Sequence, residues 1–191
     1  QKKHSISIKL SALHPRYERN KIELLIKELL PKLFEIIELA KNVNVDICFD
    51  AEEADRLNLS LFIFKEIIES KLIDEKYQGF GFAVQAYQKR AFFVLDWLKK
   101  YLNEVNKKIN IRLVKGAYWD TEIKNAQKQG FIGYPVFTKK FATDISYLAC
   151  AHKLYENDNI FSQFATHNAH SISYIKTLFK DRDFEFQKLH G

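Results

Sequence analysis

What most restricts this chain is a rhythm. Short apolar runs alternate with long amphipathic ones along its whole length. Residues 5–10, 43–50, 79–87, 109–116, 160–167 and 184–191 are short and nearly continuously apolar. That is the mark of parallel strands covered on both faces. Between them, residues 17–42, 51–72, 89–108, 138–157 and 169–181 carry apolar residues at helical spacing, and a shorter helix ends near Gly130. Pro31 is expected to kink or split the first long helix. The repeat is about the length of a βαβ unit, roughly 30 residues, so the chain reads as an α/β domain.

Two parallel architectures compete. A doubly wound sheet places a glycine-rich phosphate loop after its first strand, and "SALHPRYE" contains no glycine. A (β/α)8 barrel carries its chemistry at the carboxyl ends of many strands. Here Lys9, Asp50, Gln85, Arg112, Lys115, Thr166, His167, Asn168 and His190 all fall at or near strand ends. A barrel has eight strands in about 250 residues, and this chain has 191 residues. The expectation is therefore a parallel (β/α)8 barrel, incomplete within these residues. About six strands are present, and the first strand and last βα unit lie outside. Residues 1–191 are expected to form one domain.

Composition narrows the classes further. Charged residues are 28 % and no run approaches the roughly 20 apolar residues of a membrane-spanning helix. Cys48 and Cys150 both lie in apolar segments and read as reduced core thiols. The formal net charge is +6, but lysines alternate with glutamates on helix faces and form no dense basic tract. Nucleic-acid binding by this segment is not expected. His167 and His170 have no cysteine or glutamate beside them, so no metal site is expected.

The polar residues on strands need a reason, because a buried cation is costly unless it is paired. Arg112 and Lys115 stand three apart and face opposite sides of an ideal strand. They either meet a ligand or pair with strand carboxylates such as Asp46 and Asp50. Gly116 permits close backbone approach or simply makes a tight turn. Tyr118 and Trp119 either wall a pocket or pack. Asp50 opens "DAEEAD", a capping-box pattern with Glu53, and capping is compatible with a pocket role. Lys9 and Gln85 read equally as pocket groups or as satisfied interior polar residues. Thr138, Lys139 and Lys140 start one helix, and Thr166, His167 and Asn168 start another, where backbone N–H groups suit phosphate or need a plain cap.

At "SISIKLSALHPRY", "DAEEADRL", "VQAYQKR", "RLVKGAYWD", "YPVFTKK" and "FATHNAH" the sequence resembles the flavin-dependent proline dehydrogenase family. It is most similar to the dehydrogenase domain of that family's long bifunctional members. The resemblance implies noncovalent FAD and oxidation of L-proline to Δ1-pyrroline-5-carboxylate by hydride transfer to flavin N5. Electrons then pass to quinone, as the first step of proline catabolism to glutamate. It also implies a cytoplasmic protein, peripherally associated with the inner face of the membrane and homo-oligomeric when intact. By motif, Lys9, Asp50 and Tyr118 are similar to substrate-pocket residues, with Leu189 an apolar wall against the proline ring. Arg112 resembles the arginine beside flavin N5. Arg112, Lys9, Asp50 and Tyr118 form the implied catalytic group. Gln85, Lys115, Gly116, Ala117 and Trp119 resemble cofactor-lining residues, Thr138 and Lys139 its phosphate contacts, and Thr166, His167 and Asn168 further flavin contacts. The family's carboxylate-gripping last helix lies beyond residue 191, so these residues alone are expected to be inactive or nearly so. The alternatives are another flavin barrel, similar to a methylenetetrahydrofolate reductase, and a non-catalytic basic scaffold.

Overall fold

A computed structural model describes residues 4–74 and 77–188. Its described residues form six strands, β1 (Ser5–Ile8), β2 (Asp46–Phe49), β3 (Phe80–Gln85), β4 (Ile109–Val114), β5 (Ile160–Ala165) and β6 (Phe184–Gln187). Eight helices alternate with them: α1 (Leu10–Leu13), α2 (Ile22–Glu28), α3 (Leu30–Asn42), α4 (Leu57–Glu69), α5 (Ala91–Val105), α6 (Trp119–Lys128), α7 (Lys140–Tyr155) and α8 (Ala169–Leu178). The strands join one sheet in the order β1-β2-β3-β4-β5-β6. Sequential order in a parallel sheet, with a helix after each of the first five strands, is the winding of a (β/α)8 barrel rather than of a doubly wound sheet.

The chain groups into two compact units. One comprises residues up to Phe82 together with Lys107–Asn110, and the other Ala83–Asn106 with the residues from Ile111 onward. In the first, β1 pairs in parallel with β2 through Ser5↔Asp46 and Ile8↔Phe49, and β2 with β3 through Cys48↔Gly81. Alternation sends Ile47, Phe49, Phe80 and Phe82 to the helix side. There Phe64 of α4 stacks on Phe80, the rings 5.3 Å apart, and meets Phe82 edge-on. Ile63, Phe64, Ile67 and Ile68 of α4 are fully buried, each contributing about 1.5–3 kcal/mol of apolar transfer.

In the second unit β5 pairs in parallel with β6, with Gln163 opposite Glu185 and Ala165 opposite Gln187. Phe164 points the other way, into a cluster with Phe179, Phe184 and Phe186. Leu98 and Leu102 of α5 and Tyr147, Cys150 and Ala151 of α7 complete this core. Both cysteines are buried free thiols, as the sequence suggested.

Element ends differ from the expected ones for local reasons. Pro31 does split the first long helix: α2 stops at Glu28 and α3 restarts at Leu30, with Pro31 in its first turn, where its missing N–H costs nothing. Strand β2 begins only at Asp46, because Asn44 takes a left-handed conformation (φ 54°) and Val45 N–H donates back to Ala40 O, closing α3. Strand β1 stops at Ile8 because the chain turns at once into the single helical turn α1. It is also exposed along most of its length, unlike the fully buried β3.

Candidate functional site

Three of the quoted motifs close into one hydrogen-bonded frame at the carboxyl ends of β3 and β4. The ladder between them runs on past the strands, with Ala86 N–H to Val114 O at 2.8 Å and Tyr87 N–H to Lys115 O at 2.7 Å. Gly116 follows with φ +143°, and a Cβ there would lie 2.4 Å from the Tyr87 ring. Only glycine fits so close an approach at that backbone angle. Ala117 N–H then donates to Gln85 Oε1 at 3.1 Å, pinning the turn to the buried end of β3. Tyr118 is half-buried and its carbonyl accepts Glu122 N–H, starting α6. The indole of Trp119 donates to Phe137 O at 3.0 Å. Phe137 N–H in turn donates to Tyr87 O at 2.8 Å, and Lys89 N–H to Pro135 O at 3.0 Å. So "VQAYQKR", "KGAYW" and "YPVFTKK" hold one another.

The two cations of the fourth strand do diverge. Ile111 and Leu113 are fully buried toward the helices, which puts Arg112 on the opposite face, half-buried. Lys115 turns to the helix side. Its Nζ pairs with Asp144 of α7 and lies 5.8 Å from the centre of the Tyr147 ring. The second Asp144 oxygen takes Lys140 Nζ at 2.8 Å. Hydrogen bonds from Lys115, then Lys140, hold the Asp144 carboxyl below the usual carboxylate range. The carboxylate that Lys115 meets is thus on a helix rather than on a strand, while Asp46 accepts Asn110 Nδ2 at 3.2 Å.

Thr138 and Lys139 are exposed immediately before α7, with Lys139 at the N-cap position in an extended conformation. The Lys139 side chain makes no cap hydrogen bond to the first turn of this helix. At the end of β5, Thr166 N–H donates to Gln187 O at 3.2 Å. Asn168 is the N-cap of α8: its Oδ1 accepts Ser171 N–H at 3.0 Å, while its own N–H donates to Thr166 Oγ1 at 3.1 Å. His167 is exposed between them.

Lys9 and Asp50 belong to the first unit. Lys9 is exposed and occupies the N-cap position of α1, its carbonyl accepting Ala12 N–H. Asp50 N–H donates to Ile8 O at 2.9 Å, one step beyond the β1–β2 register. The N-cap position expected for Asp50 falls three residues later. The N-cap position of the helical turn that leads into α4 is Glu53, which makes no side-chain cap bond. Glu52 does the fixing instead: Oε1 accepts Ser11 N–H at 3.0 Å and Oε2 pairs with Arg56 at 2.5 Å. Nearby, His14 Nδ1 accepts Arg16 N–H, which leaves Nε2 to face Glu28 Oε2 at 3.1 Å, and Tyr17 meets Ser60 Oγ at 3.0 Å. Glu52, His14, Tyr17 and Asp144 were not singled out from the sequence; of these, Glu52, four residues before Arg56, and Asp144, four residues after Lys140, had a local signal. Leu189 and His190 lie outside the described residues.

The comparisons agree with this architecture. The family model for proline dehydrogenase matches residues 1–191. The bifunctional protein PutA of Klebsiella aerogenes is 50 % identical over 192 residues, which is 97 % of this chain and 14 % of that protein. The PutA of Rhizobium meliloti is 45 % identical, over 97 % of this chain and 15 % of its own length. This chain thus spans about a seventh of those relatives. A crystal structure of a Bradyrhizobium japonicum proline utilization A mutant superposes with a TM-score of 0.93 at 47 % identity, covering 97 % of this chain and 19 % of that one. The structure of the Bdellovibrio bacteriovorus protein inactivated by N-propargylglycine gives 0.87 at 31 % identity, covering 96 % and 20 %. The fold is part of a (β/α)8 barrel, and the chain belongs to the proline dehydrogenase family.

Proposed function

We propose that this chain supplies the FAD- and proline-binding residues of an enzyme that oxidises L-proline to Δ1-pyrroline-5-carboxylate and passes the electrons to quinone. The observation that carries the reading is the frame at the ends of β3 and β4. Its glycine lets the turn pack directly on the Tyr87 ring and fixes the backbone there, with Arg112 on one face of the strand and Lys115 on the other. A flat electron-accepting ring joined to a pyrophosphate suits that donor set: fixed backbone turn, guanidinium, ammonium groups and a helix N-terminus. FAD, when bound, supplies the two-electron acceptor for the hydride leaving proline C5.

The residues divide the remaining work. Gln85, Lys115, Gly116, Ala117 and Trp119 line the cofactor, and Arg112 offers fixed positive charge where negative charge develops on reduction. Thr138 and Lys139, ahead of the first turn of α7, take the phosphates. Thr166, His167 and Asn168 add contacts at the end of β5. Lys9, Asp50, Tyr118 and Leu189 hold proline with its amine neutral, the state from which the C5–H bond can give up hydride. The intact protein is proposed to deliver electrons to a membrane quinone peripherally, at the cytoplasmic face; among the described residues no helix is long and apolar enough to cross a membrane. The intact protein is proposed to be a homo-oligomer.

The test is the visible spectrum of the full-length protein before and after adding proline without oxygen. A flavin spectrum that bleaches with proline supports the reading, and N-propargylglycine should abolish that bleaching irreversibly. A colourless protein that takes up no FAD, or a flavin that proline leaves oxidised, overturns it.

A further inference from the structure

We infer that Asp144 is a positioning residue for the cofactor's cations, acting through Lys115; this rests on the FAD reading above. Lysine has a long flexible stem, and holding its ammonium in one place costs side-chain entropy. Asp144 meets that cost before any ligand arrives. One of its oxygens takes Lys115, from the end of β4, and the other takes Lys140, the first residue of α7. The Tyr147 ring lies against the same ammonium of Lys115. Two ammonium groups around one carboxylate leave a single net positive charge, ordered and still able to attract an anionic group.

Asp144 can do this because its own place is fixed. Two residues on, Ser146 Oγ donates to Ala86 O at 2.7 Å, and Tyr147 hydroxyl donates to Leu113 O at 3.4 Å. These bonds stitch the start of α7 to the ends of β3 and β4, the strands that carry Gln85 and Arg112. A solvated helix-surface aspartate would pair with Lys140 four residues earlier on its own helix. The additional pairing with Lys115, 29 residues away and one residue before Gly116, is what sets Asp144 apart. The hydrogen bonds from Lys115 and Lys140 favour the charged form of its carboxyl and hold it below the usual carboxylate range.

The experiment is FAD titration of the apo form of the full-length protein for wild type, Asp144→Asn, Asp144→Ala, Lys115→Met and the Asp144→Ala/Lys115→Met double variant. Apo melting temperature is recorded in parallel. Asp144→Ala is expected to raise the FAD dissociation constant about tenfold, or 1.4 kcal/mol, and Lys115→Met by a similar factor. The double variant is expected to bind no worse than the weaker single one, because both remove the same arrangement. A merely structural role would shift melting and give additive losses. Asp144→Asn keeps the shape of the side chain, so the comparison survives if the alanine variant fails to fold. Unchanged FAD affinity in Asp144→Asn and Asp144→Ala, or additive losses in the double variant, overturns the inference alone. A wild-type protein that takes up no FAD overturns the cofactor reading and the inference with it.

Discussion

The side-chain carbonyl of Gln85 accepts the backbone N–H of Ala117 at 3.1 Å, joining residues 32 apart in sequence. Gln85 is 3 % exposed and Ala117 is exposed. Replacing Gln85 with leucine keeps the volume and removes the acceptor. Because water can reach Ala117, the loss of this bond is its net value, about 1 kcal/mol, rather than the larger penalty of an orphaned buried donor. The expected outcome is a small fall in urea-unfolding stability with a larger fall in bound flavin per chain, since the turn that loosens is the one proposed to bed the ring. Full flavin content in Gln85→Leu would separate this hydrogen bond from cofactor binding.

Glycine positions give an internally controlled series. Gly116 has φ +143° and a Cβ there would sit 2.4 Å from the ring of Tyr87, which is buried and cannot swing away. Gly130 has φ +66° with nothing within 4 Å, and Gly133 is open with no positive φ. Alanine at Gly133 should therefore change stability little. At Gly130 it should cost about 1 kcal/mol from backbone strain alone, and at Gly116 clearly more than the 1–3 kcal/mol of a strained residue, because the clash adds to the strain. Thermal melting of the three variants checks the order. Equal shifts for Gly116→Ala and Gly130→Ala would mean that the Tyr87 contact imposes no constraint.

Much of this was legible in the sequence because parallel strands are written against an apolar background. Gln85 and Arg112 stand out there, whereas the same residues on a helix would pass as surface. Asp144 shows the converse. It lies in a helix where polar residues are ordinary, and its meaning comes from Lys115, which only folding brings near. Glu52 is hidden similarly: it caps α1 through Ser11, 41 residues away. The strand ends were overextended at Lys9 and Val43 because apolar character continues there while the backbone turns. Helix α1 and the left-handed Asn44 are decided by hydrogen bonds, Glu52 to Ser11 and Ala40 to Val45, that no periodicity records.

Alkaline pH offers a probe of the core of the second unit. Cys150 on α7 is fully buried, and burial pushes its thiol up to about 11. In the unfolded chain a thiol ionises near 8.5. Below that value both states hold the proton, and the folded state keeps its full advantage. Between about 8.5 and 11 the unfolded state loses its proton while the folded state retains it, so stability falls as pH rises. Unfolding free energy measured from pH 7 to 10.5 should decline more steeply for the wild type than for Cys150→Ala. Parallel slopes would show that Cys150 does not titrate on unfolding in this range. Thiol reagents should label Cys48 and Cys150 at neutral pH only as fast as the protein unfolds.

Arg112 is the residue on which the redox reading turns. It sits on β4 between Ile111 and Leu113, facing away from the helices, with its Nε atom buried. A guanidinium there offers a rigid, always-charged fork, whereas a lysine offers a shorter-reaching point charge with freer geometry. Arg112→Lys keeps the charge and changes only the donor geometry, so it tests placement rather than net potential. Turnover with proline should fall on the order of 100-fold, the usual effect of misplacing one preorganised donor at developing negative charge. FAD affinity should fall about tenfold, with the apo melting temperature nearly unchanged. Loss of turnover at wild-type FAD affinity would confine Arg112 to the reduction step, and wild-type values of both would remove it from the site.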